Sequence, residues 1–256
     1  MSDNLQPRGS DDTTFAQPLH TPIKRRSFFM YAGATAGATA LVLAGCSDDD
    51  DSPIASNLVN VGSGDPGVLN YAYALEQLEA AFYTTLRDGS YYKGLPGASA
   101  EKQILDDLYY HEVIHREFFK AALGTGAIKG LTPNFGAIDF NSRTSVLGAA
   151  KAFEDLGVAA YNGAGQYISS PLYLTLAGKI VSVEARHAAI IRDLLQEGNF
   201  IGNDVVTLTT ANSSPSASGA APANSSVERS LTPTEVVAAA NTYLAEGSKL
   251  DVSGLK

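Results

Sequence analysis

Glu112 and His115 stand three residues apart in "YYHEVIHREFF" (109–119), and Glu184 and His187 repeat that spacing in "SVEARHAAII". Residues i and i+3 of a helix are neighbours on one face. Each pair therefore brings a carboxylate and an imidazole to a common point, which suits ligation of a metal ion. One such pair on a helix is more often a surface contact. Two are harder to dismiss: with the Glu and His available after Cys46, random placement supplies about 0.16 matches.

Direction matters as much as spacing. At the helical period, Glu112 and His115 fall within the apolar stripe of Leu105, Leu108, Phe119, Ala122 and Leu123, while Arg116, Glu117 and Lys120 fall outside it. Glu184 and His187 share a stripe with Tyr173, Leu176, Ile180, Ile191 and Leu194. An ionised carboxylate in a core is costly unless it is paired or metal-bound. Two further segments contribute acids. In "LNYAYALEQLEAAFY" Glu76 and Glu79 lie on the stripe of Ala72, Tyr83 and Leu86. In "AAKAFEDLGVAAY" Glu154 shares a face with Leu147, Ala150, Gly157 and Tyr161. Asp155 points elsewhere and reads as solvated. His111 sits at the stripe's edge and reads as a boundary residue rather than a ligand.

Two neighbouring divalent ions carry four positive charges. Four carboxylates balance them and can bridge, and two imidazoles complete the shell with positions left open for dioxygen or peroxide. One inward Glu from each of two helices plus two Glu-x-x-His motifs is the ligand pattern of di-iron and di-manganese carboxylate bundles.

Four long helices must position these residues. Asp65 with Pro66 predicts the first, running to Asp88; Ser99 starts a second that ends at Leu123. Asn141 or Ser142 starts a third, fading into the glycines 163–165. Ser170 with Pro171 starts a fourth that stops at Gly198. Links of about ten and about five residues favour antiparallel neighbours. The middle link of about 17 residues can span a whole helix. The expected fold is all-α: a bundle over 65–198 of two antiparallel pairs joined by a long crossover. Beyond it, 199–256 reads as a low-complexity linker and one short helix, with Thr232 and Glu235 forming a capping box around Pro233.

"LNYAYALEQLEAAFY", "HEVIHREFF", "FEDLGVAAYNGAG" and "VEARHAAII" together resemble a bacterial ferritin-like-domain protein of the desiccation-related type, over about residues 65–198. The resemblance implies a ferritin-like four-helix bundle with a dinuclear iron or manganese site. Carried over by motif, Glu76 and Glu154 are the ligands of the first and third helices, and Glu112 with His115 and Glu184 with His187 are the paired sets, one pair to each ion. Glu79 is an extra ligand, a replacement for Glu76, or a neutral core acid. Several superfamily members carry an Asp before the E-x-x-H that helps orient an imidazole; His111 and Val183 stand there in this chain. Tyr83, Tyr161 and Tyr173 lie on the ligand faces and read as core.

The N-terminal segment carries an address. Arg25 and Arg26 precede an uncharged run from Phe28 to Gly45, rich in Gly, Ala and Thr. This is an export-signal pattern with a twin-arginine character. "LAGC" (43–46) resembles a bacterial lipoprotein box, in which Cys46 is lipidated and anchors the protein to a membrane. Residues 47–64 read as a flexible tether. A single cysteine permits no internal disulfide. The net charge of −9, with no basic stripe, argues against a nucleic-acid partner. "GTGAIKG" (124–130) follows a helix rather than a strand, so a nucleotide loop is not expected. Two functional readings follow. One is an exported di-metal protein of the periplasm or cell envelope with ferroxidase or peroxide chemistry. The other is a non-enzymatic envelope stress or interaction protein whose metal is structural or absent. Oligomerisation is left open.

Overall fold

The computed structural model describes residues 57–206 and 227–256. The export signal, Cys46 and most of the expected tether lie outside the described residues, as does the low-complexity run 207–226. After a two-residue strand β1 (Val59–Asn60) come the long helix α1 (Gly64–Asp88), a short α2 (Ser90–Lys93) and three more long helices: α3 (Ala100–Leu123), α4 (Arg143–Ala164) and α5 (Pro171–Leu195). A short α6 (Pro233–Ala240) and strand β2 (Leu250–Asp251) complete the chain. Among the described residues no helix is long and apolar enough to cross a membrane.

The helix starts follow capping chemistry. Ser99, Ser142 and Ser170 each accept from a backbone N–H three residues on, satisfying donors that a helix N-terminus leaves orphaned. Thr232 and Glu235 form the expected capping box. Asp65 differs from expectation. Ser63 takes the cap position, and the Asp65 carboxylate instead accepts from the backbone of Ser169 (2.7 Å) and Ser170 (2.9 Å). It thereby ties the start of α1 to the start of α5. The α5 helix stops three residues short of Gly198, whose φ is +79°.

Two tight helix pairs, α1 with α3 and α4 with α5, form the bundle. Both are antiparallel. Arg87 at the end of α1 pairs with Asp106 near the start of α3 (3.1 Å), and Arg143 at the start of α4 donates to the Leu194 carbonyl near the end of α5 (2.7 Å). The crossover runs back along α1. Asn70 binds it at both Gly126 (3.0 Å) and Ile128 (2.9 Å), Gln77 accepts from the Leu131 N–H (2.9 Å), and Phe135 and Phe140 pack around Phe82. At the far end Gly89 lies so close to the Phe140 carbonyl that a Cβ there would stand 2.4 Å from it. That route brings α4 back to the start of α3, where Arg143 also meets Glu101 (2.7 Å).

The C-terminal segment packs on this frame. Leu231 donates to the Ala159 carbonyl (3.0 Å), and its own carbonyl rests where a Cβ on Gly163 would be 1.8 Å away. α4 ends at Ala164 with Gly165 as its C-cap, within the glycines 163–165 as expected, and Gly163 in its last turn also admits the backbone of another segment. Val236, Val237 and Ala240 of α6 are buried, and Tyr243 packs edge-on against Phe153. β1 and β2 then pair in parallel, Val59 opposite Leu250. Residues 57–64, expected as the end of a tether, are thus held in place, with Val61 buried.

Asp155 is a second difference. It is buried, not solvated, because α5 and residues 199–206 cover it. Arg192 donates to both of its oxygens (2.9 and 2.6 Å) and to both oxygens of Asp204 (3.0 and 2.9 Å), while Lys151 also reaches Asp204 (2.8 Å).

Candidate metal centre

Six of the seven predicted ligand residues meet at one point in the bundle interior. The carboxylates of Glu76 (α1), Glu112 (α3), Glu154 (α4) and Glu184 (α5) are fully buried, and His115 and His187 stand beside them. They form two overlapping sets: Glu76, Glu112, His115 and Glu184, and Glu112, Glu154, Glu184 and His187. Within each, one ligand atom per residue lies within 4.8 Å of the others. Glu112 and Glu184 belong to both.

The two sets mirror each other. His115 Nδ1 is 2.8 Å from Glu184 Oε1, 3.5 Å from Glu76 Oε2 and 3.7 Å from Glu112 Oε2. His187 Nδ1 is 2.8 Å from Glu112 Oε1, 3.1 Å from Glu184 Oε2 and 3.4 Å from Glu154 Oε2. Glu112 and Glu184 thus each turn one oxygen to each imidazole. Each set holds one whole Glu-x-x-His pair, Glu112 with His115 in the first and Glu184 with His187 in the second, together with the Glu of the opposite motif. Each imidazole has its shortest contact with the carboxylate of the opposite motif, because antiparallel α3 and α5 interleave the two turns.

The helices that carry no histidine supply the outer support. Tyr83 donates to Glu154 Oε1 (2.5 Å), and Tyr161 donates to Glu76 Oε1. The sequence signal is a shared E-x6-Y spacing, Glu76 to Tyr83 and Glu154 to Tyr161. Residues seven apart share a helix face, and antiparallel α1 and α4 place each Tyr opposite the other helix's Glu. One oxygen of each terminal Glu is held by a phenol and the other faces the cluster. His111, expected at the boundary, is exposed on one side but sets its Nδ1 2.8 Å from His187 Nε2, the rings stacked 5.1 Å apart. A partner on Nε2 fixes which way the imidazole presents Nδ1. Spacing within α3 gave no sign of this contact with α5.

Glu79 stands outside both sets. It is buried against α4, where a Cβ on Gly157 would lie 3.0 Å from its Oε1. Burial and the carboxylates of Glu112 and Glu154 push its pKa well up.

Electrostatics favour a positive occupant. Burial raises Glu76 and Glu154, and burial together with Glu184 pushes Glu112 up to about 8. Burial also opposes ionisation of Glu184, but His115 and His187 outweigh it and hold that carboxyl down at about 2. Burial works against charge on both imidazoles, yet the surrounding glutamates raise each far above 6.5. Glu76 Oε2, both oxygens of Glu112, Glu154 Oε2, Glu184 Oε1 and His115 Nδ1 are buried and, although the imidazoles stand at ion-pair distance, none of these atoms makes an aligned hydrogen bond among the described residues. Orphaned buried oxygens are expensive. Two divalent ions fit this donor set: they satisfy those atoms and balance four carboxylates.

A pH prediction follows for the metal-free protein. Glu112, raised from 4.5 to about 8, holds a proton in the folded state that the unfolded chain has released, so its contribution is full below pH 4.5 and lost as pH rises towards 8. The imidazoles act in the same sense above 6.5, and Glu184 is already ionised throughout. Thermal scans should show the metal-free form losing stability from pH 5 to pH 8. A rising midpoint over that range would contradict the protonation pattern. Metal binding should release protons and strengthen over the same range.

The defining pattern of the ferritin-like domain family matches residues 64–197, and the chain belongs to that family. No curated protein matches the chain.

Proposed function

We propose that the cluster holds two divalent ions, iron or manganese, and that the protein performs redox chemistry with dioxygen or peroxide, as a ferroxidase or a peroxide-consuming enzyme. The single observation that carries this reading is the pair of overlapping ligand sets sharing Glu112 and Glu184 around orphaned carboxylate oxygens. The ions, when bound, supply the redox couple and open positions for an oxygen species. The chain's own residues do the rest. Glu112 and Glu184 span both positions, Glu76 and Glu154 complete one each, and Tyr83 and Tyr161 orient those terminal carboxylates. His111 aligns His187. The test is Fe(II) oxidation followed optically: the protein should oxidise added Fe(II) faster than buffer does, and an equal rate would remove the enzymatic claim while leaving metal binding to be judged by content.

For location, the proposal rests on sequence: an export signal ending at "LAGC", lipidation of Cys46, and a place at the periplasmic or envelope membrane. Cys46→Ser should move the exported protein from the membrane fraction to the soluble one. An unchanged distribution would contradict the anchor.

A further inference from the structure

A cavity of about 40 Å³ lies along the bundle axis beside the cluster. Its walls include Ala72, Phe119, Ile180 and Tyr161. The first three lie four residues from Glu76, His115 and Glu184, and four residues of helix advance about 6 Å. The cavity is therefore about one turn from cluster residues on three helices at once. Tyr161 forms part of its wall and spends its hydroxyl on Glu76. The Tyr71 hydroxyl, on another wall, is buried without a hydrogen-bond partner among the described residues. The remaining lining is hydrocarbon or aromatic, so water finds too few partners to settle there. On the α5 side the wall is thin: Tyr173, Leu176 and Ala177 are only half-buried.

We infer that this cavity admits a small apolar molecule, dioxygen, between α3 and α5 and brings it to the Glu76 side of the cluster. The size decides the class. One water-sized occupant needs about 10–15 Å³, so the space takes a diatomic molecule and is small for an organic metabolite. The delivery role rests on the metal reading above, whereas the cavity's preference for apolar occupants does not. Peroxide, which needs several hydrogen bonds, is not expected to use it.

Xenon is the probe, followed by xenon NMR on the metal-free protein. The parent should bind xenon saturably. Ala177→Phe and Ala122→Met, which fill the cavity from half-buried wall positions, should lose that signal. In iron-loaded protein the same variants should retain their metal and their rate with peroxide, but react several-fold more slowly at low dioxygen. Absence of xenon binding in the parent, dioxygen rates unchanged in the filled variants, or equal losses with dioxygen and peroxide would each overturn the inference. Failure of the parent to bind metal would overturn the metal reading instead, and the xenon measurement registers that separately.

Discussion

Glu184→Ala is expected to abolish binding of both ions together, and Glu112→Ala to do the same. Each of these carboxylates turns one oxygen towards His115 and the other towards His187, so each belongs to both ligand sets. Neither position keeps a full shell when one is removed. Glu76→Ala and Glu154→Ala should behave differently, because each residue belongs to one set only. They should leave one ion bound and weaken or lose the other. Metal content per folded chain reads the difference. Equal losses in all four variants would mean that the two positions are not distinct. Tyr83→Phe and Tyr161→Phe remove only the outer support of a terminal carboxylate, an effect of about 10–100-fold in affinity.

Arg192→Ala carries the largest expected loss of stability. The guanidinium is buried and donates to both oxygens of Asp155 and both of Asp204. Its removal leaves the Asp155 charge in the interior, with Lys151 as the nearest remaining cation at 3.6 Å. Breaking a buried pair in this way costs about 3–5 kcal/mol, which for a chain of this size lowers Tm by about 10 °C. Asp155→Leu combined with Arg192→Met should recover most of that loss, since a packed apolar pair leaves no orphaned charge. Asp204→Ala should cost less, because its side chain is largely open to water. A melting point for Arg192→Ala equal to the parent's would show that residues 199–206 are not held through this guanidinium.

The residues that sequence could locate are those whose role is set within one helix. Ser99, Ser142, Ser170 and Thr232 cap because a hydroxyl three residues before an orphaned N–H is a local arrangement. Glu112, His115, Glu184 and His187 could be oriented because a helix fixes where i and i+3 point. What escaped depends on how two segments meet. The contact of His111 with His187 needs the register of α3 against α5. Asp155 falls on the outer face of its own helix and becomes buried only when α5 and residues 199–206 close over it. Gly163 stands at the helix end its type suggested, but its second role, the close approach of Leu231, comes from far along the chain. The β1–β2 pair is two residues long on each side, too short to leave a strand pattern. Tyr83 and Tyr161 are an intermediate case: their shared spacing from Glu76 and Glu154 is visible, but its meaning requires α1 and α4 to run antiparallel.

The most direct test of the central claim is the number of metal ions held by one chain. The protein, stripped with chelator, loaded anaerobically with Fe(II) or Mn(II) and freed of excess metal, should retain two ions per chain by elemental analysis. Glu184→Ala treated identically should retain none. A folded parent that retains no ion after loading would contradict a dinuclear site at Glu76, Glu112, His115, Glu154, Glu184 and His187.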